Sequence, residues 1–341
     1  MFNSDYQPLV SVIVPSYNHS IFLKQRLDSI FNQTYSNFEV IILDDASTDN
    51  SLDIIAHYTF EKRFKKLIIN ERNSGSLFRQ WRKGLEQANG DFIWIAETDD
   101  FADKNFLKEV ILFYSKNIDI TLCYTDSVSI DGNVINKVLW SEIKNTNFKT
   151  NRWSHDYVNN SKNEILDFLI HKTTINNISA VVFRREVFGI ELLRQVAKFK
   201  NVGDLFLYLT VSLKSKLGYL SKPLCYCRSH ENNLTKGSLK SGLLSFERLK
   251  CYIKFFIFTK NELNRIEIKL ISRAYKKLLV QNMLKLNYTE AHKVQKILKI
   301  SRGLNLINSI QYFNLVIILN LFFRKWLSHY KSITLIRFIL R

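Results

Sequence analysis

Carboxylates gather in two short stretches of this chain, each directly after an apolar run. Asp44-Asp45-Ala46-Ser47-Thr48-Asp49 follows residues 39–43 (EVIIL), and Glu97-Thr98-Asp99-Asp100 follows residues 91–96 (DFIWIA). A third polar turn, Pro15-Ser16-Tyr17-Asn18, follows residues 10–14 (VSVIV). Carboxylates brought onto one rim raise one another's pKa and cost stability unless a cation or hydrogen-bond donors compensate. A divalent metal is the simplest compensator. Hard oxygen ligands select Mg2+ or Mn2+, which also bridge phosphates. Taken singly, residues 44–49 suit a helix cap and turn equally well, and Asp99-Asp100 suits a solvated loop or a cap. Their joint placement at strand ends is what points to a site.

That placement depends on the elements between them. The three apolar runs are continuous rather than alternating, as in strands buried on both faces. Helical patterns separate them: Ile21, Leu23, Leu27, Ile30 and Phe31 fall near one stripe, residues 50–58 follow an Asp49 cap, and residues 77–88 stop at Asn89-Gly90. Residues 67–69 and 120–125 read as further strands, and residues 106–114 as another helix. Strands alternating with helices predict an α/β fold, Rossmann-like, with a mostly parallel sheet flanked by helices. In such sheets ligands bind beyond the carboxyl ends of the strands, where these polar turns fall. Residues 130–176 are polar and rich in Asn and Lys, which predicts loops with one helix near 164–170. A strand over 178–183, helices over 186–197 and 204–213, and an extended segment at 217–220 follow.

The run VSVIVPSYNHSIFLKQRLDSIFNQTYSNFEVIILDDASTDNS resembles the N-terminal signature of the family-2 glycosyltransferases: an apolar strand, P-x-Y-N, S-x-x-x-Q-T-Y and D-D-x-S-x-D. NGDFIWIAETDD is similar to the family's Gly–strand–Asp-x-Asp region, and Asn73-Ser74-Gly75 to its N-x-G turn before a helix. NVGDLFLYLTVSLKSKLGYLSKPLCYCRSHENNLT resembles a later segment that ends in Y-x-R-x-H. The resemblance covers about residues 8 to 235. It implies a GT-A fold and inverting transfer of a sugar from a nucleotide-sugar donor to an acceptor hydroxyl, in assembly of surface polysaccharide or lipid-linked glycan. It implies that Pro15, Tyr17 and Asn18 lie against the nucleotide, that Asp45 receives a base N–H, and that Arg79 reaches base or phosphate. Asp99 and Asp100 become the motif for Mn2+ or Mg2+, with Asp100 the direct ligand. Thr98 stands where many members have Asp. Asp204 becomes the catalytic base, also suited to cap its helix, with Gly203 in place of the usual Glu. Arg228 and His230 become the basic residues that meet the diphosphate.

The net charge of +18 is unevenly spread. Residues 236–341 carry 21 Lys/Arg against 4 Asp/Glu, a balance of +17, and residues 1–235 carry 28 against 27, a balance of +1. The chain therefore divides into a near-neutral catalytic domain over 1–235 and a basic helical region over 236–341. The nucleotide-sugar half of that domain is about 8–126 and the acceptor half about 127–235. Residues 239–341 are helical in pattern, with Ile266, Leu270, Ala274, Leu278 and Met283 recurring along one stripe. Residues 313–323 are apolar, about half of the roughly 20 residues a span needs. They are followed by Arg324-Lys325-Trp326, which suits an interfacial helix on an anionic membrane surface. The expected location is cytoplasmic, peripheral on the cytoplasmic face of the membrane. The N-terminus lacks a signal-peptide pattern, and four cysteines make no disulfide framework or zinc spacing.

Two other classes compete. A sugar nucleotidyltransferase requires a Gly/Arg-rich phosphate loop and a Lys after the first strand, where PSYNHS stands instead. Basic residues interleaved with aromatics, as in Lys250-Cys251-Tyr252-Ile253-Lys254-Phe255-Phe256, permit nucleic-acid binding. The tail has no recognisable nucleic-acid module, and no nucleic-acid partner is expected.

Overall fold

The computed structural model describes residues 7–131, 134–230, 243–283, 291–304 and 307. The chain forms two compact units, Met1–Asn233 and Leu234–Arg341.

In the first unit the continuous apolar runs become β1 (Val10–Ser16), β2 (Phe38–Asp44), β3 (Phe64–Ile69) and β4 (Phe92–Ile95). They pair in parallel in the order β3-β2-β1-β4. Side chains alternate across the sheet. Val10, Val12, Val14, Val40 and Ile42 share a core with Leu23, Leu27 and Ile30 of α1 (Ser20–Phe31). Phe106, Leu107 and Val110, at the start of the helix Phe106–Lys116, belong to the same core. Burying each such aliphatic side chain contributes about 2 kcal/mol. On the opposite face Ile13 and Leu43 meet the helix Leu77–Leu85 at Gly84, where a Cβ would come within 2.4 Å of Ile13 and 3.1 Å of Leu43. Only glycine lets that helix approach so closely.

The stripe expected on α1 is corrected at two places. Ile21 is 80% exposed, and Arg26 is fully buried among Leu23, Leu27, Ile30 and Phe31. Residue 26 lies three and four positions from Leu23 and Ile30, on the core face of the helix. The next helix is short, Ser51–Ala56, and Asn50 rather than Asp49 is its flanking residue. Asp49 still accepts the Ser51 amide (3.0 Å) and adds the Ser20 amide (2.9 Å), so one carboxylate serves the starts of two helices.

The second half of the unit is mixed. β9 (Val181–Arg184) runs antiparallel to both β4 and β6 (Ile120–Asp131), and β6 pairs in parallel with β10 (Lys216–Ser229). The long β10 shifts register around Leu220, Pro223 and Cys225, where Pro223 interrupts the ladder. Beyond it Cys225 and Tyr226 pair with Ala102 and Phe101 of the short β5 (Phe101–Ala102). The loops expected over 130–176 are instead β7 (Val134–Leu139), a helix Trp140–Phe148, a 3-10 turn Arg152–Ser154 and β8 (Tyr157–Asn159), while the helix expected near 164–170 is present as Ser161–Glu164 leading into the π-turn Ile165–Leu169. Trp153, Ile165 and Leu169 supply the burial that orders them. Ile178–Ala180 is a 3-10 turn rather than the start of a strand. Ser179 turns sideways there: its carbonyl accepts the Trp94 indole N–H and its Oγ accepts the Glu97 amide.

The second unit contains the helices Leu243–Thr259, Arg265–Met283 and Ala291–Gly303. Asn264 accepts the Ile266 and Glu267 amides, and Glu267 accepts the Asn264 amide in return, a reciprocal cap. Among the described side chains the buried stripe of the middle helix is Ile271, Ala274, Tyr275 and Leu279; of the stripe read from sequence Ala274 is buried, Ile266 is 72% exposed and Leu270 39%, and the side chains of Leu278 and Met283 lie outside the described residues. Among the described residues no helix is long and apolar enough to cross a membrane. Residues 313–323 lie outside the described residues.

Candidate active site

Parallel register decides where the polar turns meet. Ser16 pairs with Asp44, and Ile13 pairs with Ile95, so β1, β2 and β4 end on the same rim. Asn18 takes a left-handed backbone (φ 50°), a conformation its short amide tolerates. From there its Oδ1 accepts the Thr48 amide at 2.8 Å, and its own amide donates to Ser47 Oγ at 3.0 Å. Asn18 thus joins the ends of β1 and β2. Pro15 is buried within β1, and Tyr17 stands 43% exposed just after it.

Asp45 is buried, and four donors of its own chain converge on it. Oδ1 accepts the Ser74 amide (2.8 Å), the Gln80 side-chain amide (2.8 Å) and the Asn70 side-chain amide; Oδ2 accepts the Ser74 hydroxyl (2.7 Å). A carboxylate has about four acceptor sites, so Asp45 shapes the Asn73-Ser74-Gly75 turn. Gly75 has φ +66°, and Arg79 donates back to the Ser74 carbonyl at 3.1 Å.

Past β4, Glu97, Asp99 and Asp100 each present an oxygen within 4.8 Å of the other two. Asp100 is buried; Oδ1 accepts the Arg228 amide at 3.1 Å and Oδ2 the Asn177 side-chain amide at 3.2 Å. Burial and the Asp99 charge push its carboxyl up to about 6, against Arg26. Glu97 is pushed well above the ordinary carboxylate value by burial and by Asp99, Asp100 and Asp204. Burial also opposes ionisation of Asp99, but the His230 hydrogen bond (3.2 Å) and the charges of His19 and His230 outweigh it and hold Asp99 below its ordinary value. The Arg228 guanidinium donates to the Asp99 carbonyl and to Gln25 Oε1. Thr98 is bonded to His19 Nδ1 at 2.6 Å.

Three hard carboxylate donors this close, two with pKa values raised first by burial and then by their neighbours' charge, fit a divalent cation of the Mg2+ or Mn2+ kind. Asp204 sits in the first turn of the helix Gly203–Lys214 and acts electrostatically on Glu97, so it belongs to the same rim. At Gly203 a Cβ would meet the Phe78 ring at 2.9 Å. Phe78 therefore occupies the space a larger residue at 203 would need.

The structure gathers Asp99, Asp100, Asp204, Arg228 and His230 in one neighbourhood, and Pro15, Tyr17, Asn18, Asp45 and Arg79 along the adjoining β1–β2 rim. Sequence reasoning assigned no role to Glu97, Arg26, His19, Gln25 or Asn177. For Glu97 the signal was present, a third acid in the same turn. For Asn177 it was absent, because its contact with Asp100 spans 77 residues.

Residues 11–188, just over half the chain, match the family model described as Glycosyl transferase family 2. Among curated proteins, the putative teichuronic acid biosynthesis glycosyltransferase TuaG of Bacillus subtilis is 34% identical over 110 residues, 32% of this chain and 43% of that protein. The matched segments span 33–44% of the length of the first curated relatives. Staphylococcus aureus TarS 1-349 in complex with UDP-GlcNAc superposes with a TM-score of 0.67 at 18% identity, covering 89% of this chain and 85% of that one. The mannosyltransferase PcManGT of Pyrobaculum calidifontis, in complex with GDP-Man and Mn2+, gives 0.54 at 16% identity, covering 98% and 86%. At these identities the two structures speak for the fold alone.

Proposed function

The chain belongs to glycosyl transferase family 2, and we propose that it transfers a sugar from a nucleotide-sugar donor to an acceptor hydroxyl with inversion, in assembly of surface polysaccharide or lipid-linked glycan. The observation that carries this reading is the convergence of Glu97, Asp99 and Asp100 with Asp204 on one rim of the sheet. TuaG's name places that relative in teichuronic acid biosynthesis, and the two solved structures contain nucleotide sugars, which supports the same substrate class here.

In this reading the turn after β1 and the Asp45-organised loop receive the nucleotide, with Tyr17 offering an exposed ring and Arg79 a cation. For Asp45 to receive a base N–H, the base displaces one of its present donors. Asp100 and Asp99, with Glu97 beside them, hold Mn2+ or Mg2+. Bound there, the ion offsets charge on the diphosphate. Arg228 and His230 lie where the diphosphate passes Asp99. Asp204 accepts the proton of the acceptor hydroxyl, whose oxygen bonds to the anomeric carbon as the bond from that carbon to the diphosphate oxygen breaks. A single displacement inverts the anomeric carbon. Holding donor and acceptor together supplies much of the remaining acceleration.

A panel of UDP-, GDP- and dTDP-sugars with Mn2+, read as nucleoside diphosphate release, tests the reading. Release from at least one donor is expected; none from any, with folded protein and metal present, counts against it. We also propose, from sequence pattern alone, that residues 313–323 hold the protein on the cytoplasmic membrane surface. Full-length protein should then float with anionic liposomes at low salt and a truncation after Gly303 should not. Equal behaviour of the two would end that proposal.

A further inference from the structure

Arg26 lies in the middle of α1 and is fully buried. Among the described residues none of its three guanidinium nitrogens has a hydrogen-bond partner. Its Cζ rests 4.9 Å from the centroid of the Trp94 ring. An aliphatic or thioether side chain would cover that ring equally well without taking a charge out of water, so packing alone does not account for an arginine. A buried ion without hydrogen bonds is among the costliest arrangements a fold can hold, and it persists only where opposite charge is near.

That charge is the acidic cluster. Burial lowers the guanidinium's pKa, and Cys225, Asp100, Asp99 and Glu97 all push it back up. The influence is mutual, since Arg26 opposes the raised values of both Glu97 and Asp100. The backbone agrees with this placement. Trp94 lies in β4, three residues before Glu97, and the neighbouring Gln25 accepts a hydrogen bond from Arg228, whose amide donates to Asp100. Arg228 and His230 have hydrogen bonds within the rim; Arg26 offers the cluster charge alone.

We propose that Arg26 is the resident counter-charge of Glu97, Asp99 and Asp100: it holds the three carboxylates together before a divalent ion arrives and weakens their affinity for that ion, so that tight metal binding needs the added negative charge of a nucleoside diphosphate. The inference rests on the reading of the cluster as a metal site. Arg26 is a positioning residue, since it is sealed from the rim and touches no substrate. A unit positive charge several ångströms from a divalent ion in a partly buried site repels it by enough to change affinity at least tenfold.

The test is Mn2+ titration, followed by the resonance of free Mn2+, on the whole protein and on Arg26→Met, Arg26→Gln and Arg26→Lys, each with and without UDP or GDP. Metal-free melting curves accompany it. Without nucleotide, Arg26→Met and Arg26→Gln should bind Mn2+ roughly tenfold or more tightly than the parent. Both should melt lower when metal-free, gain more from Mn2+, and depend less on the nucleotide; Arg26→Lys should stay near the parent. Folding of Arg26→Met only when Mn2+ is supplied supports the proposal, and if it folds under neither condition Arg26→Gln decides. Mn2+ affinities within twofold of the parent, or Arg26→Lys behaving as Arg26→Met does, overturn it. If the parent binds no Mn2+ with or without nucleotide, the metal reading fails. The metal-free melting order, with Arg26→Lys above Arg26→Gln and Arg26→Met, then still tests the counter-charge.

Discussion

Where β1, β2 and β4 end, carboxylates are met by hydrogen-bond donors of neighbouring loops; between β6, β8 and β10, cations lie on aromatic rings. Asp45 and Asp49 each accept amides from segments distant in sequence. On the other side, Lys144 Nζ lies 4.8, 5.2 and 5.5 Å from the centroids of Tyr219, Tyr124 and Trp153. Burial pushes its pKa down to about 8. Arg152 Cζ lies 3.9 Å from the Tyr157 centroid and 4.1 Å from that of Phe168, and its Nη2 bonds the fully buried Glu164. Backbone amides fix direction and distance, which suits a site that must hold a charged ligand in one geometry. Cation–aromatic contacts tolerate rotation and repacking. The first half therefore holds its carboxylates in fixed directions, while the second, which also brings Asp204, Arg228 and His230 to the rim, packs its cations less directionally.

The largest effect should come from the point where the halves meet. Asp204→Asn keeps the shape and the helix start but removes the proton acceptor, and transfer should fall by roughly two to four decades with donor binding retained. Loss of donor binding along with turnover would make Asp204 structural. Next is the aromatic half. Arg152→Met leaves Glu164 buried without its cation and should cost about 3–5 kcal/mol in urea unfolding. The double change Arg152→Met with Glu164→Leu should recover most of that, because the pair is replaceable as a unit; equal losses for single and double changes would contradict this. In the loop-held half, Asp45→Asn converts an acceptor of four hydrogen bonds into one that must also donate. It should cost roughly 1–3 kcal/mol and weaken binding of whichever nucleoside diphosphate the parent binds, read by calorimetry. An unchanged nucleotide affinity would detach Asp45 from the site.

The smallest effect is one of pH. The folded-state pKa of Asp100 is raised from 3.8 to about 6, chiefly by burial and then by Asp99. The native state thus holds this proton more tightly than the unfolded chain does, and the stability it contributes at low pH is lost as pH rises through 6. Asp99, with its pKa lowered, works in the opposite direction and loses its contribution as pH falls. Metal-free melting temperatures should therefore decline from pH 5 to 7 more in the parent than in Asp100→Asn. Parallel profiles would show that Asp100 is not under this strain.

The same two halves differ in how much their sequence reveals. Continuous apolar runs such as VSVIV and EVIIL can only be buried strands, and register then carries Asn18, Asp45 and Asp100 to one rim. Residues 130–176 read as polar loop because the side chains that pack there include Lys144, Arg152 and Glu164, types that normally mark solvent. Arg26 was hidden for the same reason: helical spacing places residue 26 on the core face, but an arginine does not count as apolar. Asn177 and Ser179 carry no local signal at all. Their roles arise only when β9 inserts between β4 and β6 and brings the preceding turn to Asp100 and Glu97.

On the proposed function, Glu97, Asp99 and Asp100 form the ion site of a sugar-transfer centre. The most direct test is nucleoside diphosphate release against Mn2+ concentration, for the parent and for Asp100→Ala, with melting curves showing both folded. Metal-dependent release by the parent, abolished by chelator, is expected, with a loss of at least about a hundredfold in Asp100→Ala, the scale for removing an electrostatic contact to developing charge. Full release in chelator, or an Asp100→Ala protein as active as the parent, would contradict it.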